Sequence, residues 1–177
     1  MATREEIKEI VFTLIGDSVE DFDYDVGVSQ QFPQSREDIP RVVYQDDYRP
    51  LLINGASASP SHVEYDEEDM VEFEEHREHI EGIFTISIRT SNDDDAEEMY
   101  EAVHREFGKY NFRYVADVKD LHDHIHKIEV QDVNDASDGN TNVPARGDTM
   151  QVFVRFWRDY RVEDENIETI ESDANPN

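Results

Sequence analysis

The sequence predicts an α+β fold: a mixed β-sheet packed by an N-terminal helix and a central helix, with a strand–helix–strand–strand core. Three observations predict it. Phe84, Ile86 and Ile88 alternate with Thr85, Ser87 and Arg89, the period-two pattern of a half-buried strand. Ala96, Met99, Tyr100, Val103 and Phe107 then recur at helical spacing, directly behind the carboxylate-rich helix start Ser91-Asn-Asp-Asp-Asp95. Two further strands follow, one around Ile125, Ile128, Val130 and Val133, the other along Met150-Gln-Val-Phe-Val-Arg-Phe-Trp157.

Taken in order, Thr3 to Ile15 reads as a helix. Thr3 and Glu6 form a capping box, Ile7, Ile10, Val11, Leu14 and Ile15 make the apolar stripe, and Gly16 fits the position just past the end. Asp21 to Val28 alternates, with Phe22, Tyr24, Val26 and Val28 on one face, and reads as a strand. Ser29 to Asp38 is polar and closes at Ile39-Pro40, a loop. Arg41 to Tyr44 is a short strand, Leu51 to Ile53 a short apolar run, and Ala56 to Ser61 a small-residue loop. In His62 to Glu81 the pairs Val63/Tyr65 and Val71/Phe73 alternate among many acids, giving two edge strands or one acidic hairpin.

The strand from Ile83 to Thr90 would span roughly 27 Å, and a helix from Asp93 to Lys109 roughly 25 Å. One helix therefore crosses one sheet face and returns the chain for a parallel strand, by a right-handed crossover if both strands share the sheet. In the last strand Met150, Val152, Val154 and Phe156 point one way, and Phe153 and Trp157 the other, with Gln151 and Arg155 between them. Apolar groups on both faces imply an interior strand, or one face that meets another subunit. Asn134 to Asp148 is a long loop with no apolar pair, and loops of that length are usually functional or disordered. The expected organisation is a single domain over residues 1–162, followed by an acidic C-terminal tail, 163–177.

Composition narrows the function. The 177 residues include 44 acids, 16 Lys and Arg, of which four are Lys, and no Cys, for a net charge of -28. Such a chain repels itself at ordinary ionic strength, whereas in molar salt the Debye length falls to about 3 Å. An acid-rich, lysine-poor chain points to a high-salt cytoplasm; the even spread of acids argues against a dedicated DNA mimic. Without Cys there is no disulfide or thiol chemistry. No apolar run reaches the roughly 18 residues of a membrane span, and no signal peptide is legible. A direct grip on phosphate would need clustered Lys and Arg, which are missing.

No catalytic residue, cofactor-binding residue or metal ligand is assigned. Asp21, Asp23 and Asp25 open like a calcium loop, but that loop needs Gly sixth and Glu twelfth, where Val26 and Phe32 stand. His122, His124 and His126 would share a face on a strand, yet a zinc site needs a closed pocket and supporting partners, so solvated histidines are the better reading. His76 and His79 carry less weight still, and Arg146-Gly-Asp148 matches an adhesion tripeptide by chance. No phosphate loop, nucleophile elbow or Ser/His/Asp spacing occurs, so no enzyme activity is expected. The candidate interface residues are Phe153, Arg155, Trp157 and Arg158, since Trp and Arg are favoured at interfaces; a core tryptophan with flanking arginines remains the alternative.

In its order of elements the chain resembles the tail terminator (tail completion) proteins of long-tailed phages. The resemblance rests on Arg4–Ile15, Phe22–Val28, Pro40-Arg-Val-Val-Tyr44, Ile83–Arg89, Asp93–Tyr110, Ile125–Val133 and Met150–Tyr160. Together with the acidic composition, it implies the terminator of a tailed virus of a haloarchaeon. It further implies a homo-oligomer, a hexameric ring that caps the tail tube protein, stops its polymerisation and meets a head-side connector protein. The site would be the virion neck, assembled in the host cytoplasm, with no membrane partner and with DNA passing through the ring. The long loop Asn134–Asp148 and the acidic tail depart from the family pattern. Two other classes stay open: another neck protein, such as a head-completion or connector ring, and a non-viral haloarchaeal regulatory domain binding a small ligand.

Overall fold

Helix α1 (Arg4–Val19) starts as predicted. Thr3 Oγ1 accepts a 3.2 Å hydrogen bond from the Glu6 amide, and the Glu6 carboxylate accepts one of 2.7 Å from the Thr3 amide. Its end differs. The helix runs through Gly16 to Val19, because Leu14, Ile15 and Val19 continue the buried stripe begun by Ile7 and Val11. A mid-helix Gly costs about 1 kcal/mol, and burial of a further turn outweighs it. In this computed structural model residues 3–51, 60–66, 71–111, 118–133 and 148–164 are described; for 37, 60–66, 71–76 and 159–164 the description is of backbone.

The strands are β1 (Gly27–Ser29), β2 (Arg41–Pro50), β3 (Pro60–Asp66), β4 (Val71–Arg89), β5 (Ile125–Val133) and β6 (Thr149–Asp164), with helix α2 (Asp93–Gly108) between β4 and β5. They form one sheet in the order β1-β2-β4-β6-β5, with β3 also on β4. β1 and β2 are parallel and every other pair is antiparallel. β4 and β5 are thus parallel to each other through α2, as the sequence implies, but β6 lies between them. The α+β class and the strand–helix–strand–strand core stand as predicted.

Several boundaries move. The expected strand Asp21–Val28 shrinks to Gly27–Ser29, because its partner, the start of β2, offers only Arg41 to Val43. Phe22, Tyr24 and Val26 pack on the core from irregular backbone instead. β2 runs to Pro50, well beyond Tyr44. The region His62–Glu81 is an acidic hairpin, with Asp66↔Val71 at its closed end, but its second strand is continuous with the central one. β4 is therefore 19 residues long, because β6 pairs with it from Ser87↔Thr149 to Glu72↔Asp164. The last strand extends two residues into the stretch read as tail. Residues 52–59, 134–147 and 165–177, where loops and the acidic tail are expected, lie outside the described residues.

Both helices pack on one face of the sheet. Ile80, Phe84, Ile86 and Ile88 of β4, Met150, Val152, Val154 and Phe156 of β6, and Met99, Val103 and Phe107 of α2 join one buried cluster with the α1 stripe. α2 carries the cap its sequence announces: Asn92 Oδ1 accepts from the Asp95 amide at 2.8 Å, and Asp93, Asp94 and Asp95 occupy the positive end of the helix dipole. Gly82 lets two rings close over this face, and a side chain there would make them give by a few tenths of an ångström. A Cβ there would lie 3.1 Å from both the Tyr48 and Phe84 rings, and Tyr48 meets Phe84 edge-on at 5.9 Å.

Candidate functional site

The face of the sheet turned away from the helices holds the residues that the core does not use. Strand alternation sends Ile80, Phe84 and Phe156 into the core, so His79, Glu81 and Ile83 of β4 and Phe153, Arg155 and Trp157 of β6 share the opposite face. The register sets Ile83 opposite Phe153, Glu81 opposite Arg155, and His79 opposite Trp157. Arg49 stands opposite Glu81 on the β2 side, and Lys127 and Glu129 stand opposite Arg155 and Phe153 on the β5 side. Toward β1 this face is closed by the loop before β2: Arg89 lies over the Phe32 ring, 5.4 Å from its centre.

Glu81 is the electrostatic centre of the surface. It is 0% exposed, and each carboxylate oxygen is met by a guanidinium. Arg49 Nε donates to Oε2 at 2.7 Å with Arg49 Nη2 beside it, and Arg155 Nε donates to Oε1 at 2.7 Å. Burial pushes the Glu81 pKa up, but the hydrogen bonds from Arg155 and Arg49 outweigh it and the net direction is down. The triad links β2, β4 and β6 through one buried carboxylate.

Beside it lies an aromatic group. Trp157 stacks on His79 (centroids 4.6 Å apart, planes 27°) and faces His126 at 5.7 Å and 29°. The two imidazoles touch, Nε2 to Nε2, at 2.7 Å. His126 reaches this position because β5 carries a bulge between Ile125 and Lys127, which breaks the strict alternation of the strand. The three histidines of His122–His126 are therefore not one cluster: His122 and His124 lie together, ring centres 5.5 Å apart, while His126 joins His79 from another strand. Among the described residues no group of three or more His, Asp or Glu is placed to hold a metal.

Of the four candidate interface residues, Phe153, Arg155 and Trp157 lie on this face, each half-buried. Arg158 does not. It is one residue on, points to the opposite side of β6, and pairs with Glu78. Trp157 is half-buried, and its ring packs on two histidines of this face. Glu81, Arg49 and His79 are functional candidates the sequence reading passed over. The signal for Glu81 was present: it is the sole carboxylate inside His79-Ile-Glu-Gly-Ile-Phe84.

No known protein family matches this sequence, and no curated protein resembles it significantly. The fold is known. The structure is similar to the sheath/tube terminator of an extracellular contractile injection system in its extended state, with a TM-score of 0.58 and 11% identity. The likeness covers 100% of this chain, which spans 65% of the length of that one. It establishes a terminator-like α+β fold.

Proposed function

We propose that this protein is a structural tail terminator, which caps a tail tube and meets the head-side connector of a tailed virus. The observation that carries the reading is the fold likeness to a sheath/tube terminator along the entire chain. The proposed form is a closed ring, most simply of six copies. In a ring one surface of each subunit fits a different surface of the next, and closure makes the assembly finite. The face turned away from α1 and α2, with Phe153, Arg155 and Trp157 half-buried on it, supplies one such surface. Six copies at -28 each would carry about -168 formal charges. Assembly on that scale needs salt to screen its contacts, in keeping with a haloarchaeal host. An acidic channel wall would repel passing DNA and let it slide, the inverse of binding by counterion release.

The same likeness favours a second reading, in which the tail is contractile and the terminator caps a sheath as well as a tube. Deleting the gene from the virus, with and without a copy in trans, tests both. Tails of uncontrolled length that fail to join filled heads are expected. Tails of normal length on filled heads would refute the terminator role and leave another neck position or the ligand-binding regulatory domain. Negative-stain microscopy of the purified protein in molar salt tests the ring directly, and a monomer at all concentrations would refute it.

A further inference from the structure

We propose that His79, Trp157 and His126 form a proton-sensitive clasp across three strands, closed while the imidazoles share one hydrogen bond and opened when both are protonated. The placement motivates it. Ile80 and Phe156, opposite one another in the register, belong to the helix-packed core, whereas beyond them the β4–β6 ladder continues through eight more pairs to Glu72↔Asp164. His79↔Trp157 is the first of those pairs, at the root of an arm that β3 also joins. β5 ends its ladder at this level, where the Trp157 amide donates to the His124 carbonyl at 3.0 Å. The clasp is thus the side-chain link that ties the root of the arm to β5.

The chemistry of the contact makes it responsive to protons. A neutral imidazole has one donor and one acceptor nitrogen, so a 2.7 Å Nε2–Nε2 contact requires one ring to donate and the other to accept. One added proton keeps the bond and makes it charge-assisted, and the Trp157 face accommodates one cation. A second proton leaves two donors and two like charges on rings whose centres are 4.5 Å apart. The surroundings resist that charge. Burial, then Arg155, lowers the pKa of His79, with Glu81 opposing. That carboxylate is already engaged by Arg49 and Arg155. Burial, then His79, Arg155 and Lys127, takes His126 down to about 4, with the His124 backbone opposing. Along the same face of β4 the next charged position is Arg77, which stands opposite Asp159 in the register. Metal binding is the weaker reading of two converging nitrogens, because among the described residues no third His, Asp or Glu joins them in a group placed to hold a metal. The clasp is closed above the ordinary histidine value of 6.5 and lost as pH falls toward the lowered value of His126.

Trp157 is the single tryptophan of the chain, so all tryptophan emission comes from this position. The full-length protein is titrated from neutral to acid pH with EDTA present, following Trp emission and far-UV circular dichroism together. The expected result is an emission step with its midpoint at least about one pH unit below a free imidazole, preceding the loss of ellipticity and absent from His79→Gln and His126→Gln. His122→Gln should keep the step. An emission step that coincides with global unfolding, persists in both clasp variants or never occurs would overturn the proposal. If the clasp variants do not fold at neutral pH, imidazole NMR of the unaltered protein decides. Two of the seven histidines sharing a two-step titration, with the second step below that of every other histidine, supports the clasp, and a uniform titration of all of them refutes it. Neither result depends on the terminator reading.

Discussion

Replacing Glu81 by Gln should destabilise the fold by about 2–3 kcal/mol. The carboxylate is fully buried and receives donors from Arg49 and Arg155. A hydrogen bond to a charged group contributes about 1.5–3 kcal/mol, and removing one partner from a buried ion pair costs about 3–5 kcal/mol. Here the arginines are only partly enclosed, with side chains 57% and 33% exposed. Both can recover water after the change, which brings the expectation to the lower end. Gln also offers an amide donor where both neighbours donate. The assay is denaturant unfolding at fixed salt, run at two protein concentrations so that assembly does not enter the result. The pH dependence supplies a second arm. The Glu81 pKa is lowered from 4.5, so its contribution is complete above that value and is lost as pH falls through the folded-state value. Glu81→Gln should remove that part of the acid sensitivity. A loss below about 1 kcal/mol, with unchanged acid dependence, would refute the idea that the triad locks three strands.

Phe107→Ala, at a residue with 0% exposure between α2 and the sheet, should cost about 3–5 kcal/mol in the same unfolding assay. Trp157→Ala should leave a folded monomer by circular dichroism but weaken ring or tail contacts by about 2 kcal/mol or more, read by analytical ultracentrifugation in molar salt; an unfolded variant would make Trp157 a core residue after all. Dialysis to low salt should loosen or unfold the protein, with recovery above about 1 M, as screening returns. Unchanged melting in dilute buffer would remove the high-salt origin.

The local part of this architecture was legible in the sequence. The capping box at Thr3, the acid-rich helix start over Ser91–Asp95, the α2 stripe through Phe107 and the alternation in β4 and β6 each depend on residues a few positions apart, and all stand in the structure. So does the division of β6 into a core side and a side carrying Phe153, Arg155 and Trp157. Lengths were less legible. α1 passes Gly16 because tertiary burial outweighs local propensity, and β4 extends back to Val71 because β6 pairs with it from Ser87 to Glu72 and β3 from His76 to Val71, while its own acids hide the apolar alternation. The partners in the Glu81 triad and in the clasp were decided by tertiary structure alone. Glu81 meets arginines 32 residues before it and 74 after it, and His126 meets His79 only because a bulge turns it out of alternation. Spacing along the chain encodes which face a residue takes, but which strands become neighbours, and in what register, is set by packing the whole sheet under two helices.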